Sequence, residues 1–234
     1  MTETVKTSST LIGFEKVYVG IYNNNGDLQE ILEWKDDHGG TVNMKIAGLD
    51  ADELRVRASN KFVWISKKGT GDVKVEFETF NPPYEDMMTI LGRTKDQHNI
   101  HWAGEDTNPP YVSLLAVSSN LVGEKAYLGL PKGKLGVNDT EFATTEAKQK
   151  EPKNTKLSGT FVDKVIEGKS RVFGSCFGED KFDKFKELII GTVDSKSSKA
   201  VGSSLSSTPS STGSQSVSRS VSYTHLTLPT IYSV

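Results

Sequence analysis

The sequence predicts a mainly β protein: an antiparallel β-sandwich or barrel with one or two short flanking α-helices. Three observations carry that expectation. Runs of β-branched and aromatic residues alternate with polar ones at a period of two, as in Asp72-Val-Lys-Val-Glu-Phe-Glu-Thr-Phe80, where Val73, Val75 and Phe77 share one face and Lys74, Glu76 and Glu78 the other. These runs are short and end at Gly, Pro or Asn punctuation. Only two segments carry a helical period, and no repeat of 20 to 50 residues is present.

Taken in order, Phe14 to Tyr22 reads as the first strand and stops at Asn23-Asn-Asn-Gly-Asp27. Asn-Gly tolerates positive φ at both central positions, which predicts a tight hairpin. Phe62 to Ser66 reads as a strand with Trp64 in the core, and Gly69-Thr-Gly71 turns it into Asp72–Phe80. A helix follows over Pro82 to Leu91, with prolines at its mouth, Glu85 and Asp86 suiting the dipole, and Gly92 as stop. Tyr84, Met87, Met88 and Leu91 form its apolar stripe. Further strands are expected at Tyr111 to Leu115, Lys125 to Leu130, Lys156 to Val165 and Arg171 to Phe177. The second helix, Lys181 to Ile190, gathers Phe182, Phe185 and Ile189 on one face before Gly191. Both helices are expected to cap an edge or end of the sheets.

The chain has 234 residues, room for one domain and an appendage. Residues 1–10 read as a flexible arm and 11–193 as the folded body. Residues 194–220 hold 13 serines in 27 positions and almost no large apolar side chains, the composition of a linker. Within 221–234, the stretch Val221-Ser-Tyr-Thr-His-Leu-Thr-Leu-Pro-Thr230 resembles one frame of a translated sequencing adapter, so this segment is read as non-native and left out of the fold.

Composition excludes several classes. The net charge is −2, and the segment 194–234 holds three of the 28 basic and one of the 30 acidic residues, leaving the body at −4. That argues against wrapping nucleic acid by bulk basicity. Cys176 is the single cysteine, so neither a disulfide framework nor a multi-Cys zinc site is available. No run of 18 apolar residues predicts a membrane span, and the N-terminus lacks the apolar core of a secretory signal.

Chemistry is sparse. His98-Asn-Ile-His101 gives an i, i+3 histidine pair with Glu105 and Asp106 nearby, a weak metal candidate for which a polar loop with two surface histidines is the better reading. Gly69-Thr-Gly71 precedes a strand rather than a helix N-terminus and is no phosphate cradle. Cys176, within Val172-Phe-Gly-Ser-Cys-Phe177, reads as a buried structural thiol. Asp50-Ala-Asp-Glu53 and Asp36-Asp37 read as solvated loops. With no enzyme motif, no catalytic residues and no cofactor are expected. The segment Glu141 to Thr155, with Lys148, Lys150 and Lys153, is a long polar excursion between strands, and such loops are commonly functional.

The order of these elements resembles the major tail (tail tube) proteins of long non-contractile-tailed bacteriophages, the family that includes tube proteins of phages of Gram-positive hosts. The resemblance spans residues 8–193. It rests on Ile12-Gly-Phe-Glu-Lys-Val-Tyr-Val19 and on the charged strand Lys74 to Phe80 leading into the acidic helix closed by Leu91-Gly92. It rests also on Tyr127-Leu-Gly-Leu-Pro-Lys-Gly-Lys134 and on Lys156-Leu-Ser-Gly-Thr-Phe161. The resemblance implies a twisted β-sandwich, six subunits closing a ring, and rings stacking into a tube through which DNA passes without tight binding. It implies as partners other copies of the chain and the tape measure, terminator and distal tail proteins, with a place in the virion tail and no membrane. By position, the arm Met1 to Thr10, the loop His38 to Asn60 and Glu141 to Thr155 would reach neighbouring subunits. Their charged residues Asp50, Asp52, Glu53, Glu141, Glu146, Lys148, Lys150 and Lys153 are the inter-subunit candidates. A linker at 194–220 would lead to an immunoglobulin-like domain, as in some relatives. The competing readings are the tube of a contractile or secretion-type apparatus, a monomeric β-sandwich that binds carbohydrate or a host, and a hydrolase.

Overall fold

The computed structural model describes residues 8–137, 139–140 and 152–192. The elements run β1 (Leu11–Tyr22), β2 (Leu28–Lys35), β3 (Gly40–Ala47), β4 (Leu54–Ala58), β5 (Lys61–Ser66), β6 (Val73–Phe80), α1 (Tyr84–Ile90), β7 (Thr94–Lys95), β8 (His101–Trp102), β9 (Val112–Asn120), β10 (Lys125–Gly136), β11 (Thr155–Phe161), β12 (Lys164–Ile166), β13 (Lys169–Arg171), β14 (Gly174–Phe177) and α2 (Phe182–Ile189). The expected arm at residues 1–7, the excursion at 141–151 with Glu141, Glu146, Lys148 and Lys150, and the tail from 193 onward lie outside the described residues.

The main sheet is antiparallel in the order β2-β1-β9-β10-β11-β6-β3, and β14 also pairs with β10. Strand β10 joins two layers. Its first half, Lys125 to Leu130, pairs with β9, and its second half, Gly133 to Gly136, pairs with β11. The register shifts between Leu130 and Gly133, where Pro131 removes a ladder donor and bends the strand. The layer β2-β1-β9-β10 therefore faces the layer β11-β6-β3, as in a β-sandwich. Val17, Val19, Ile21, Trp34 and Leu114 from the first layer meet Val73, Val75, Phe77 and Leu157 from the second. Trp34 stacks on Phe77 with ring centroids 6.0 Å apart.

A second core lies on the outer face of the first layer, where Tyr18, Leu115, Val117 and Tyr127 receive Phe182, Phe185 and Ile189 of α2. Strand β9 is thus buried on both faces from Val112 to Val117, and its sequence there is apolar on both faces except at the buried Ser113, rather than alternating. The face of α2 was read correctly from its period, but the helix lies flat on the sheet rather than capping an edge. Two glycines permit this approach. A Cβ on Gly20 would stand 2.6 Å from Cγ2 of Ile190, and one on Gly129 would stand 2.6 Å from Cγ1 of Ile189.

Other expectations need correcting. Tyr84 is 61% exposed, and Ile90 takes its place beside Met87 and Leu91 in the core. The helix enters at Tyr84, so its first turn points outward. Gly69-Thr-Gly71 joins two strands that do not pair with each other: among the described residues β5 pairs with β4, while β6 pairs with β3 and β11. The segment His38 to Asn60 is not one loop; it contains β3 and β4. Lys156–Val165 breaks after Phe161, and Arg171–Phe177 breaks before Gly174. In the first hairpin only Gly26 takes positive φ, at 88°. The Oδ1 of Asn23 accepts from the N–H groups of Asn25 and Asp27, both at 2.9 Å, so a longer loop replaces the two-residue turn.

Candidate functional site

The surface that the two cores leave unexplained is the hairpin β4–β5. Ser59 and Asn60 both hold positive φ, 50° and 62°, and join Ala58 to its partner Lys61 in a two-residue turn. Among the described residues the hairpin pairs with no other strand. Leu54, Val56, Phe62, Val63, Trp64 and Ile65 are 44 to 62% exposed, and none belongs to either core. Trp64 is therefore not a core residue. Cross-strand partners share a face, so Val56 and Trp64 lie on one side and Arg55 and Ile65 on the other, which makes both sides partly apolar. The Arg57 guanidinium lies 4.4 Å from the Phe62 ring centroid and that of Arg55 5.5 Å from it. A two-stranded hairpin alone is marginal in water, and an exposed apolar patch of this kind marks an interaction surface.

The acidic candidates stand at the root of this hairpin. Asp50 pairs with Lys67, and Glu53 accepts from Arg55 Nη2 at 2.5 Å. The Arg55 hydrogen bond holds the Glu53 carboxyl below its usual range. Asp52 is exposed. Asp50 and Glu53 thus spend their charge within the chain. Lys153 is exposed at the start of the β11 approach.

The histidines are separated by environment. His98 is exposed in the turn capped by Asp96, whereas the His101 side chain is only 5% exposed, with Nε2 3.6 Å from Glu85 and the ring edge-on to Tyr84. His101 is therefore not a surface histidine. The small β7–β8 hairpin lays it against α1. Among the described residues no group of three or more His, Cys, Asp or Glu side chains could hold a metal. Cys176, partly buried on β14, has its thiol pushed up by burial, an unreactive setting.

Among the described residues, β2 and β3 end the strand order with one partner each, and β14, paired with β10 alone, is a third edge. Strand β3 carries a register shift between Thr41 and Asn43, a device that discourages unspecific pairing. The sequence pattern missed the exposed hairpin. The available signal was Phe62-Val-Trp-Ile65, four apolar residues in succession with no polar face, which fits a buried strand or an interface strand equally well.

No curated protein matches the chain. A family model described as phage tail tube protein matches residues 10–197. Such a protein is a structural component of the virion tail that assembles with itself and with other tail parts, and no helix among the described residues is long and apolar enough to cross a membrane. Extending over nearly all of the β-sandwich, the match settles the family: the chain belongs to the phage tail tube proteins.

Proposed function

We propose that six copies of this chain close into a ring and that rings stack into the tail tube through which phage DNA is ejected. The observation that carries this reading is the β4–β5 hairpin, whose two apolar faces have no partner within the described chain. A ring supplies one, because each subunit both offers the hairpin and receives a neighbour's, and closure also protects the β2 and β3 edges. The body charge of −4 suits a conduit that lets DNA slide, since release of counterions by cationic contacts would hold it. Tube ends would meet the terminator, tape measure and distal tail proteins. We assign no catalysis and no cofactor to the chain, and we take residues 194–220 as a linker and Glu141 to Thr155 as a second contact between subunits.

The test is light scattering of the full chain over a concentration series, with negative-stain images of the same fractions. Mass rising from the 25.6 kDa monomer into rings or tubes supports the reading. A chain that stays monomeric throughout and binds a sugar polymer instead would replace it with a binding module.

A further inference from the structure

A cleft of about 300 Å³ opens between the Asn23–Gly26 turn, Tyr22, Tyr111, Lys132 and Lys164. Lys164 is half-buried, with Nζ 3.4 Å from the Ile189 carbonyl and 5.2 Å from the centroid of the Tyr22 ring. Lys132 holds its ammonium 4.5 Å from the centroid of Tyr111. Among the described residues no carboxylate forms an ion pair with either lysine, whereas Lys45 and Lys156 of the second layer each have one. Burial, and then the charge of Lys132, hold the Lys164 ammonium below its usual value. Two partly desolvated cations that repel each other, lined by aromatic faces, form a site that gains free energy from an anion.

The cleft has a defined place on the sheet. Tyr22 pairs with Leu28 at one end of the β1–β2 ladder, and Lys16 pairs with Lys35 at the other. The turn after Lys35 carries Asp36 and Asp37, both exposed, Asp36 held at φ 51°. Asp36 has no ion-pair partner among the described residues, and Asp37 meets only the exposed His38 beside it. A basic cleft and an acidic tip therefore occupy opposite ends of the same pair of strands. Copies repeated end to end in one orientation bring tip to cleft at every step, the geometry of a heterologous contact that propagates.

We infer that the Lys132–Lys164 cleft receives the Asp36–Asp37 turn of a second copy, so that stacking along the tube is an acid-into-basic-cleft contact. This rests on the tube reading above. A carboxylate tip fits better than nucleic acid, because a duplex presents a long row of phosphates that a stripe of cations would have to follow, while these lysines converge on one small cleft.

The experiment uses the full chain with Lys132→Glu, with Asp36→Lys and Asp37→Lys together, and with all three changes. Thermal melts establish that each variant folds. Either charge reversal alone is expected to raise the concentration needed for stacked tubes by about tenfold or more, leaving unstacked rings, as for close charge pairs at interfaces. The combined variant is expected to recover most of that loss. Tubes from wild type and single variants at equal concentration would overturn the inference and leave the tube reading standing. So would a combined variant as defective as the sum of its parts, or a Lys132→Glu chain that loses only affinity for duplex DNA. A wild-type chain that never assembles removes the tube reading and this inference together.

Discussion

The phenol of Tyr22 donates a 2.7 Å hydrogen bond to the carbonyl of Ile190, joining the end of β1 to the end of α2, 168 positions later in the chain. It also lies 3.1 Å from Ser113 Oγ on β9. The last carbonyls of a helix have no partner within it, so this contact satisfies an acceptor that would otherwise be buried unpaired. Tyr22→Phe is expected to cost about 1–3 kcal/mol by urea unfolding. Burial raises the Tyr22 pKa above its ordinary 10.0. The contribution is therefore complete below that value and fades as the pH climbs beyond it, because the unfolded phenol ionises first. The stability gap between wild type and Tyr22→Phe should narrow above pH 10; a gap that widens there contradicts the assignment.

The seat of α2 gives a steric prediction. A Cβ on Gly20 would fall 2.5 Å from the buried Ser113 Oγ and 2.6 Å from Cγ2 of Ile190, which belongs to the second core. Gly20→Ala should destabilise by about 1–3 kcal/mol, as overpacking does. Gly136→Ala is the control, since the nearest atom to its Cβ is the Ser158 carbonyl oxygen at 4.0 Å. Thermal midpoints that fall equally for both would mean that the helix does not bear on Gly20.

Period-two alternation was enough to find β6, because one face of Val73, Val75 and Phe77 meets the core while Lys74 and Glu76 meet water. The same logic cut β9 short at Leu115, because α2 covers its outer face and a strand buried on both sides loses its alternation. Strand β3 went unread for the opposite reason: as an edge it buries little, and Asn43 and Lys45 look like loop residues. The face of α2 is legible from its period, while that of α1 is legible at Met87, Met88 and Leu91 but not at Tyr84, and neither period shows the surface on which the helix rests. Trp64 reads as a core residue because burial against a partner and burial against the chain's own core write the same residues into a strand. His101 reads as a surface residue in the sequence because its contacts are with Tyr84 and Glu85, which no local spacing reveals.

Glu15 on β1 takes both carboxylate oxygens to Lys125 Nζ at 2.6 Å and accepts from Ser119 Oγ at 2.7 Å, linking β1, β9 and β10. The hydrogen bonds from Lys125 and then Ser119 lower its pKa from 4.5. A lowered carboxylate contributes stability above its unfolded pKa and loses it as the pH falls through the folded value. Both partners are about a third exposed, which limits the pair to below about 1 kcal/mol. Glu15→Gln should thus be slightly less stable than wild type at pH 7 and indistinguishable from it well below pH 4.5. Urea midpoints at the two pH values decide this, and an equal deficit at both would exclude the ionised pair as its source.

The β4–β5 hairpin separates assembly from folding. Trp64 and Ile65 are 52% and 56% exposed, stand on opposite faces, and belong to neither core. Surface changes away from caps and cores usually shift stability by no more than about 0.5 kcal/mol. Trp64→Ser and Ile65→Ser should therefore melt like wild type while failing to form higher-mass species in light scattering. Loss from both variants means that a neighbour covers both faces; loss from one alone means that only that face is covered. In the wild-type chain, assembly should also protect Trp64 from acrylamide quenching, and Trp34, already 1% exposed, should change little. Variants that assemble as wild type does would place the subunit contact elsewhere, on the open edges of β2 and β3, where pairing through main-chain hydrogen bonds needs no apolar hairpin.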